Sequence, residues 1–240
     1  MKIAGMQKLS LLDYPDKVAA IIFTQGCNFN CPFCQNSELI KTKSKDEIPE
    51  DEIINYLTKR KKILDGLVIS GGEPTLQKDL KSFIKKVKEL GLSIKLDTNG
   101  FNPQLLQELI DEKLIDYVAM DVKNEICKYS DTCGMKSFKI KNILESINIL
   151  KNSNIDYEFR TTIMKEYHDI ASIEEILKTI GSKPKYFLQN FNPSENVPDK
   201  NIHGFTYQEL VTILDTLKKK YQNVAIRDLY KIKEGEEVYV

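Results

Sequence analysis

The sequence predicts an α/β fold, a curved and incomplete (β/α)6 barrel of TIM-like type. Three observations carry this expectation. From Val18 onward, short apolar β-branched runs alternate with segments of helical period. No glycine fingerprint of a dinucleotide-binding sheet follows the first run. The ends of successive runs collect acidic and amide residues, the arrangement expected where parallel strands point at a ligand.

Residues 1 to 17 read as an irregular lead-in, with Asp13-Tyr14-Pro15-Asp16 as a turn. Val-Ala-Ala-Ile-Ile-Phe at 18 to 23 is the first strand, and the charged stretch 41 to 46 is a connector. Residues 51 to 64 place Ile53, Ile54, Leu57 and Leu64 on one helical face, and 67 to 70 form a strand. Leu80, Phe83, Ile84, Val87 and Leu90 mark the clearest helix. A strand at 92 to 96 leads to Asn102-Pro103, an N-cap with proline at the first helical position, and to a helix with Leu105, Leu106, Leu109 and Ile110 inward. Then come a strand at 115 to 120, a helix with Ile140, Ile143, Leu144, Ile147 and Leu150, and a strand at 157 to 163. Ser172 and Glu175 form the expected capping box of the next helix, with Ile173, Ile176, Leu177 and Ile180 inward. A strand at 186 to 191, the long Asn- and Pro-rich loop 192 to 205, a helix capped by Thr206 and Glu209, and a short strand at 224 to 226 complete six βα units.

At 240 residues, with no interdomain linker, the expectation is one domain over 1 to 240. Lys plus Arg and Asp plus Glu are both 35, a balance that argues against nucleic acid or an anionic membrane surface as partner. No charged-then-apolar leader and no apolar run of bilayer length appear, so a cytoplasmic protein is expected. There are only three arginines, Arg60, Arg160 and Arg227, so each needs a structural reason.

Three of the five cysteines, Cys27, Cys31 and Cys34, lie on one stretch with CxxxCxxC spacing. Gly26 and Pro32 deny that stretch a helix and leave a loop. Three thiolates crowded on a loop need a metal or cluster to absorb their charge. A closed zinc site takes four ligands, and His168 and His203 lie over a hundred residues away. An iron–sulfur cluster held by three cysteines keeps one iron open to another ligand. A zinc knob completed by a distant residue, or three reduced core thiols, are the rival readings of the spacing alone.

The strand ends read Gly71-Gly72-Glu73-Pro74, then Asp97-Thr98-Asn99-Gly100, then Asp121-Val122-Lys123, with Arg160 on the fifth strand and Gln189-Asn190 ending the sixth. Turn chemistry alone explains one such end. The ordered set beside a cysteine loop implies a shared charged ligand.

These motifs resemble the radical S-adenosylmethionine (SAM) enzymes, and within them the glycyl-radical-enzyme activating group. CxxxCxxC with Phe33 before the last cysteine matches the superfamily signature, and Gly71-Gly72-Glu73-Pro74 its amine-binding motif. Asp97-Thr98-Asn99-Gly100 and Asp121-Val122-Lys123 resemble later SAM-binding segments of pyruvate formate-lyase activating enzymes. The run 8 to 39 looks most like the activating protein of anaerobic ribonucleoside-triphosphate reductase. The resemblance departs at Gln35, where many relatives carry histidine, and at Gln189-Asn190, where pyruvate formate-lyase activators carry one.

The resemblance implies a 4Fe–4S cluster on Cys27, Cys31 and Cys34 and SAM chelating the open iron. It implies the amine of SAM at Glu73 or the backbone of Gly71 and Gly72, the carboxylate at Lys123 with Arg160 on the same face, and adenine against Phe33. Gln35, Asn99, Val122 and Gln189 complete the implied cofactor contacts, and Asp97, Thr98 and Asp121 are implied ligands of a monovalent cation. Reductive cleavage of SAM would give a 5′-deoxyadenosyl radical that takes a Cα hydrogen from a glycine of a partner enzyme. The implied partners are anaerobic ribonucleotide reductase and a flavodoxin- or ferredoxin-type electron donor. Cys127 and Cys133 are expected as free thiols at the rim, and 192 to 205 with 127 to 134 as the partner contact. Rival functions are a radical SAM enzyme acting on a small molecule and a zinc- or cluster-binding interaction module.

Overall fold

The computed structural model describes residues 1–40, 47–135, 138–227 and 229; the expected connector at 41 to 46 lies outside them. In chain order the elements are β1 Ile3–Ser10, β2 Ala19–Thr24, α1 Glu50–Arg60, β3 Gly66–Gly71, α2 Leu80–Lys88, β4 Ser93–Thr98, α3 Pro103–Asp111, β5 Tyr117–Asp121, α4 Tyr129–Thr132, α5 Ile140–Asn152, β6 Asp156–Ile163, α6 Ile170–Ile180, β7 Lys185–Asn190, α7 Tyr207–Lys218 and β8 Val224–Ile226. From β2 to α7 strands and helices alternate as expected, except that the short α4 precedes α5 between β5 and β6; this is an α/β fold with parallel strands. The described residues group into two compact units, the first within 1–28, 38–40, 47–119 and 141–156, the second within 29–37, 120–135, 138–140, 157–227 and 229.

In the first unit, β2 pairs in parallel with β3 from Ala19↔Gly66 to Thr24↔Gly71, and β3 with β4 from Gly66↔Ser93 to Leu96. Because side chains alternate along a strand, Ala19, Ile21 and Val68 share one face. They pack there with Tyr14, Tyr117 and Ala119 in a single buried cluster, against which Phe23 rests. The opposite face takes the helices. Leu80, Phe83, Ile84 and Val87 of α2 are fully buried, as the helical period predicts. Asn102 caps α3 as expected, its side chain accepting from Leu105 N, with Pro103 at the first helical position.

Two features of this unit differ from the sequence reading. The lead-in contains a strand, β1, antiparallel to β2 from Ile3↔Thr24 to Ser10↔Ala19. Its own pattern is weak, since only its two end residues are buried; β2's open edge organises it. Helix α1 stops at Arg60, so Leu64 reaches the core from the turn that follows. Arg60 itself is exposed in that last turn, where a cation suits the helix dipole.

In the second unit, β6 pairs in parallel with β7 from Glu158↔Lys185 to Ile163↔Asn190, and β7 with β8. Thr206 and Glu209 form the predicted capping box of α7. The capping box of α6 is Asp169 with Ser172, not Ser172 with Glu175, because the helix begins one turn earlier and Asp169 takes the cap. Arg227 bonds buried Glu158 at 2.8 Å and lies 4.4 Å over the Phe187 ring, which accounts for one of the rare arginines.

Candidate functional site

The candidate residues divide between the units: Cys27, Gly71–Glu73 and Asp97–Asn99 in the first, the remainder in the second.

In the first unit, the glycine pair exists because two backbones touch. Gly71 sits at φ +114°, and a Cβ there would lie 2.3 Å from Thr24 N; one on Gly72 would lie 2.1 Å from Gly26 O. Gly72 N donates to Thr24 O (2.9 Å) and Glu73 N to Gly26 O (2.8 Å), which fastens the Gly-Gly turn to the stem of the cysteine loop beside Cys27. The Glu73 side chain is 1 % exposed and its oxygens are engaged. Oε1 accepts from Thr75 N, Thr75 Oγ1 and Thr98 Oγ1, and Oε2 accepts from Asn99 N at 2.7 Å. Burial pushes its carboxyl above the ordinary range, against those four bonds. Glu73 thus works as a tie between two strand ends.

Asn99 also donates through Nδ2 to Asn28 Oδ1 at 2.9 Å. Asn28 Nδ2, buried one residue past Cys27, has no hydrogen-bond partner among the described residues. Such an orphaned donor is rare in proteins and calls for an acceptor. An anionic cofactor atom beside the cysteine loop meets that need, so the residues present fit a cluster and SAM. Asp97 is held by Lys95 at 2.5 Å through Oδ1 and by the Ser70 hydroxyl at 3.1 Å through Oδ2.

In the second unit, Cys31 is 6 % exposed and Cys34 partly exposed. A hydrogen bond from Cys133 lowers the Cys31 thiol pKa, and Lys123 adds to this against burial. Burial pushes Cys34 up, opposed by the Asn36 backbone and by Lys123. Cys133 is fully buried, so it is no rim thiol; Cys127 is exposed, with its Sγ 3.2 Å from Glu125. The Cys133 carbonyl accepts from Asn30 N at 2.9 Å, clamping the cysteine segment, and Gly134 (φ +64°) leaves room for Asn30 O.

The loop after β7 clamps the same segment. Asp199 N donates to Pro32 O (3.0 Å), Gln35 Nε2 to Asn192 O (2.9 Å), and Ser37 to Asn196 O. Asn190 holds both ends of its amide on Phe205. Gln35 and Asn190 therefore serve the loop, while Gln189 stands on β7 opposite Thr162. Phe33 is buried against Tyr167, ring centroids 6.0 Å apart.

Asp121, Lys123 and Arg160 form one charged group. Arg160 Nε lies 2.9 Å from Asp121 Oδ1 and Lys123 Nζ 3.0 Å from Oδ2. Burial disfavours the Asp121 carboxylate, but Arg160 and Lys123 outweigh it and hold its carboxyl well below the usual range. Burial likewise opposes the Lys123 ammonium, and Asp121 outweighs it and raises its pKa. Val122 N donates to Arg160 O at 2.8 Å and the Thr161 hydroxyl to Val122 O at 2.6 Å, so the backbone fixes the group.

His168, too far along the chain from the cysteines for a compact metal site, has a packing role instead. It is 3 % exposed, accepts from Met164 N through Nδ1, and sets Nε2 3.0 Å from Lys123 O. The accepting Nδ1 places the proton on Nε2, which donates to Lys123 O. Burial lowers its pKa from 6.5 to about 4; Lys128 lowers it further, while the Lys123 and Met164 bonds and Asp169 oppose. As pH falls below 6.5 the unfolded chain takes the proton first, so stability is lost progressively down to about pH 4. Up to about 3 kcal/mol is at stake. Denaturant titrations between pH 7 and pH 4 should show a steeper loss for the wild type than for His168→Gln; parallel profiles would remove His168 as the cause.

Among the described residues, no three His, Cys, Asp or Glu side chains converge on a single metal ion. Cysteines that bind three different irons of a cluster need no such convergence. No helix of the described residues is long and apolar enough to cross a membrane.

A family profile described as "Radical SAM superfamily" matches residues 21–180, and the chain belongs to that superfamily. It is a radical SAM enzyme of the glycyl-radical enzyme activating type, as its relatives indicate. A Methanocaldococcus jannaschii protein, MJ1227, provisionally named a glycyl-radical enzyme activating enzyme, is 39% identical over 95% of this chain and 96% of its own length. The pyruvate formate-lyase-activating enzyme of Clostridium pasteurianum is 29% identical over 78% of this chain and 80% of its own. In fold, the chain is similar to Streptococcus suis SuiB bound to S-adenosylmethionine, with TM-score 0.69 and 15% identity. The match covers 90% of this chain and 52% of that one, so the chain spans about half of SuiB.

Proposed function

We propose that residues 1 to 240 act as a single radical SAM domain that installs a glycyl radical on anaerobic ribonucleotide reductase. The kinship with activating enzymes over 95% of the chain supports the activase class. The resemblance of 8 to 39 to the activating protein of that reductase supports the choice of partner. The observation that carries the cofactor assignment is the Asn28 orphan donor next to Cys27, on a loop to which the Gly71–Gly72 turn is bonded.

When bound, a 4Fe–4S cluster and SAM would supply one-electron radical chemistry directed at a glycine Cα–H of the partner, with a flavodoxin- or ferredoxin-type protein as the electron source. The chain's own residues hold and orient. Cys27, Cys31 and Cys34 are the cluster ligands. The Gly71–Gly72 backbone takes the amine, with Glu73 and Asn99 fixing its turn. Lys123 meets the carboxylate with one of its three donors while Asp121, itself bonded by Arg160, holds it in place. Phe33, backed by Tyr167, faces adenine, and Gln189 and Val122 line the nucleoside. The exposed stretch 193–196 and Cys127 present themselves to the partner.

Anaerobic mixing with the reductase large subunit, SAM and reductant should yield equimolar methionine and 5′-deoxyadenosine. It should also leave a stable glycyl radical in the electron paramagnetic resonance spectrum. A silent spectrum with every co-encoded glycyl-radical enzyme, despite SAM binding, would transfer the assignment to small-molecule chemistry.

A further inference from the structure

We infer that Lys95 supplies, from within the chain, the positive charge that a bound monovalent cation would otherwise bring to Asp97, so that SAM binding here needs no metal cation. The inference rests on the reading that Asp97, Thr98 and Asp121 serve the SAM site.

Lys95 and Asp97 lie two residues apart on β4 and therefore share a face. Lys95 stands opposite Val68 on β3, a member of the buried cluster that includes Tyr14, Ile21 and Tyr117. At 1 % exposure its ammonium has no route to bulk water, and a buried charge must be paired. Its partner is Asp97 Oδ1, while Oδ2 accepts from Ser70. A lysine in this place is costly unless the carboxylate beside it is ionised and waiting.

The other two expected cation ligands are also committed. The Thr98 hydroxyl donates to Glu73 Oε1 at 2.8 Å and accepts from Gly100 N at 3.1 Å, which turns it toward the tie between strand ends. Asp121 is bonded by Lys123 and Arg160. Lys95 offsets the charge of Asp97 with an ammonium, and Asp121 is faced by two cations, Lys123 and Arg160. Neither set has the surplus of negative oxygens that attracts a metal cation. The oxygen set read from the motifs therefore does not fit a cation once Lys95 is counted.

The test uses cluster-loaded protein in potassium chloride and in choline chloride at equal ionic strength, with wild type, Lys95→Met and Lys95→Arg. Without SAM, the wild-type melting temperature should be the same in both salts. Lys95→Met, in which Asp97 has lost the Lys95 ammonium, should melt several degrees higher in potassium than in choline. With SAM, wild-type affinity should differ by less than about twofold between the salts. Lys95→Met should bind about tenfold or more weakly in choline and recover in potassium, and Lys95→Arg should behave as wild type. A wild type whose melting or SAM affinity depends strongly on potassium overturns the inference, even if Lys95→Met does not fold. So does a Lys95→Met protein indifferent to potassium in both assays. Failure of the wild type to bind SAM in either salt would instead sink the proposed function, and the melting comparison would still decide the role of Lys95.

Discussion

Cys31→Ser is expected to abolish the cluster. After anaerobic reconstitution the wild type should carry about four irons per chain, and the variant should fall to background with no SAM cleavage. Cys31 makes the strictest choice because it is the buried cysteine of the three, and a serine hydroxyl there cannot replace a thiolate toward iron. Its neighbour Cys133 is a buried thiol already bonded to it, so Cys31→Ser/Cys133→Ser must be measured beside it. Cluster retained in the single variant and lost in the double would mean that Cys133 steps in as ligand. Full iron and activity in both variants, or stoichiometric zinc with retained activity in the wild type, would remove the cluster assignment altogether.

Lys123→Ala should weaken SAM binding by about 30- to 140-fold. Removing one partner of a buried charged pair costs roughly 3–5 kcal/mol, and partial solvent access at this group reduces that to about 2–3 kcal/mol. The side chains of Lys123, Asp121 and Arg160 are 16, 28 and 11 % exposed, so water screens them only in part. The loss has two sources: the carboxylate of SAM loses its ammonium, and Asp121 keeps only Arg160 to offset its charge. Equilibrium binding of SAM to cluster-loaded protein measures the first, and denaturant unfolding of the same sample the second. Unchanged affinity with lowered stability would make Lys123 a structural partner of Asp121 alone.

The helices were legible wherever their period was complete in one segment. Leu80, Phe83, Ile84 and Val87 lie 3.6-periodically and are all buried, because an amphipathic stripe needs only some core to face. β1 was not legible, since its intermediate and exposed residues carry no alternation and its hydrogen bonds come from β2. The α6 cap shifted because Asp169 and Ser172 are both good capping residues three apart, and only the bonded geometry ranks them. Cys133 read as a rim thiol because nothing in its neighbours along the chain announces that it is buried against Cys31.

By itself, then, the amino-acid sequence determined the order of strand and helix and the set of polar residues at strand ends. Both depend on periodicity and spacing, which short range encodes. What the tertiary structure alone decided is how those polar groups are spent. Glu73, read as a ligand, has its oxygens filled by Thr75, Thr98 and Asn99; Lys95, read as one residue of a strand, is buried against Asp97. A hydrogen-bonding group can satisfy only a few partners. Thr75 and Lys95 reach their partners from two positions away, whereas Thr98 and Asn99 reach Glu73 from 25 and 26, and only the folded chain shows which of these bonds form.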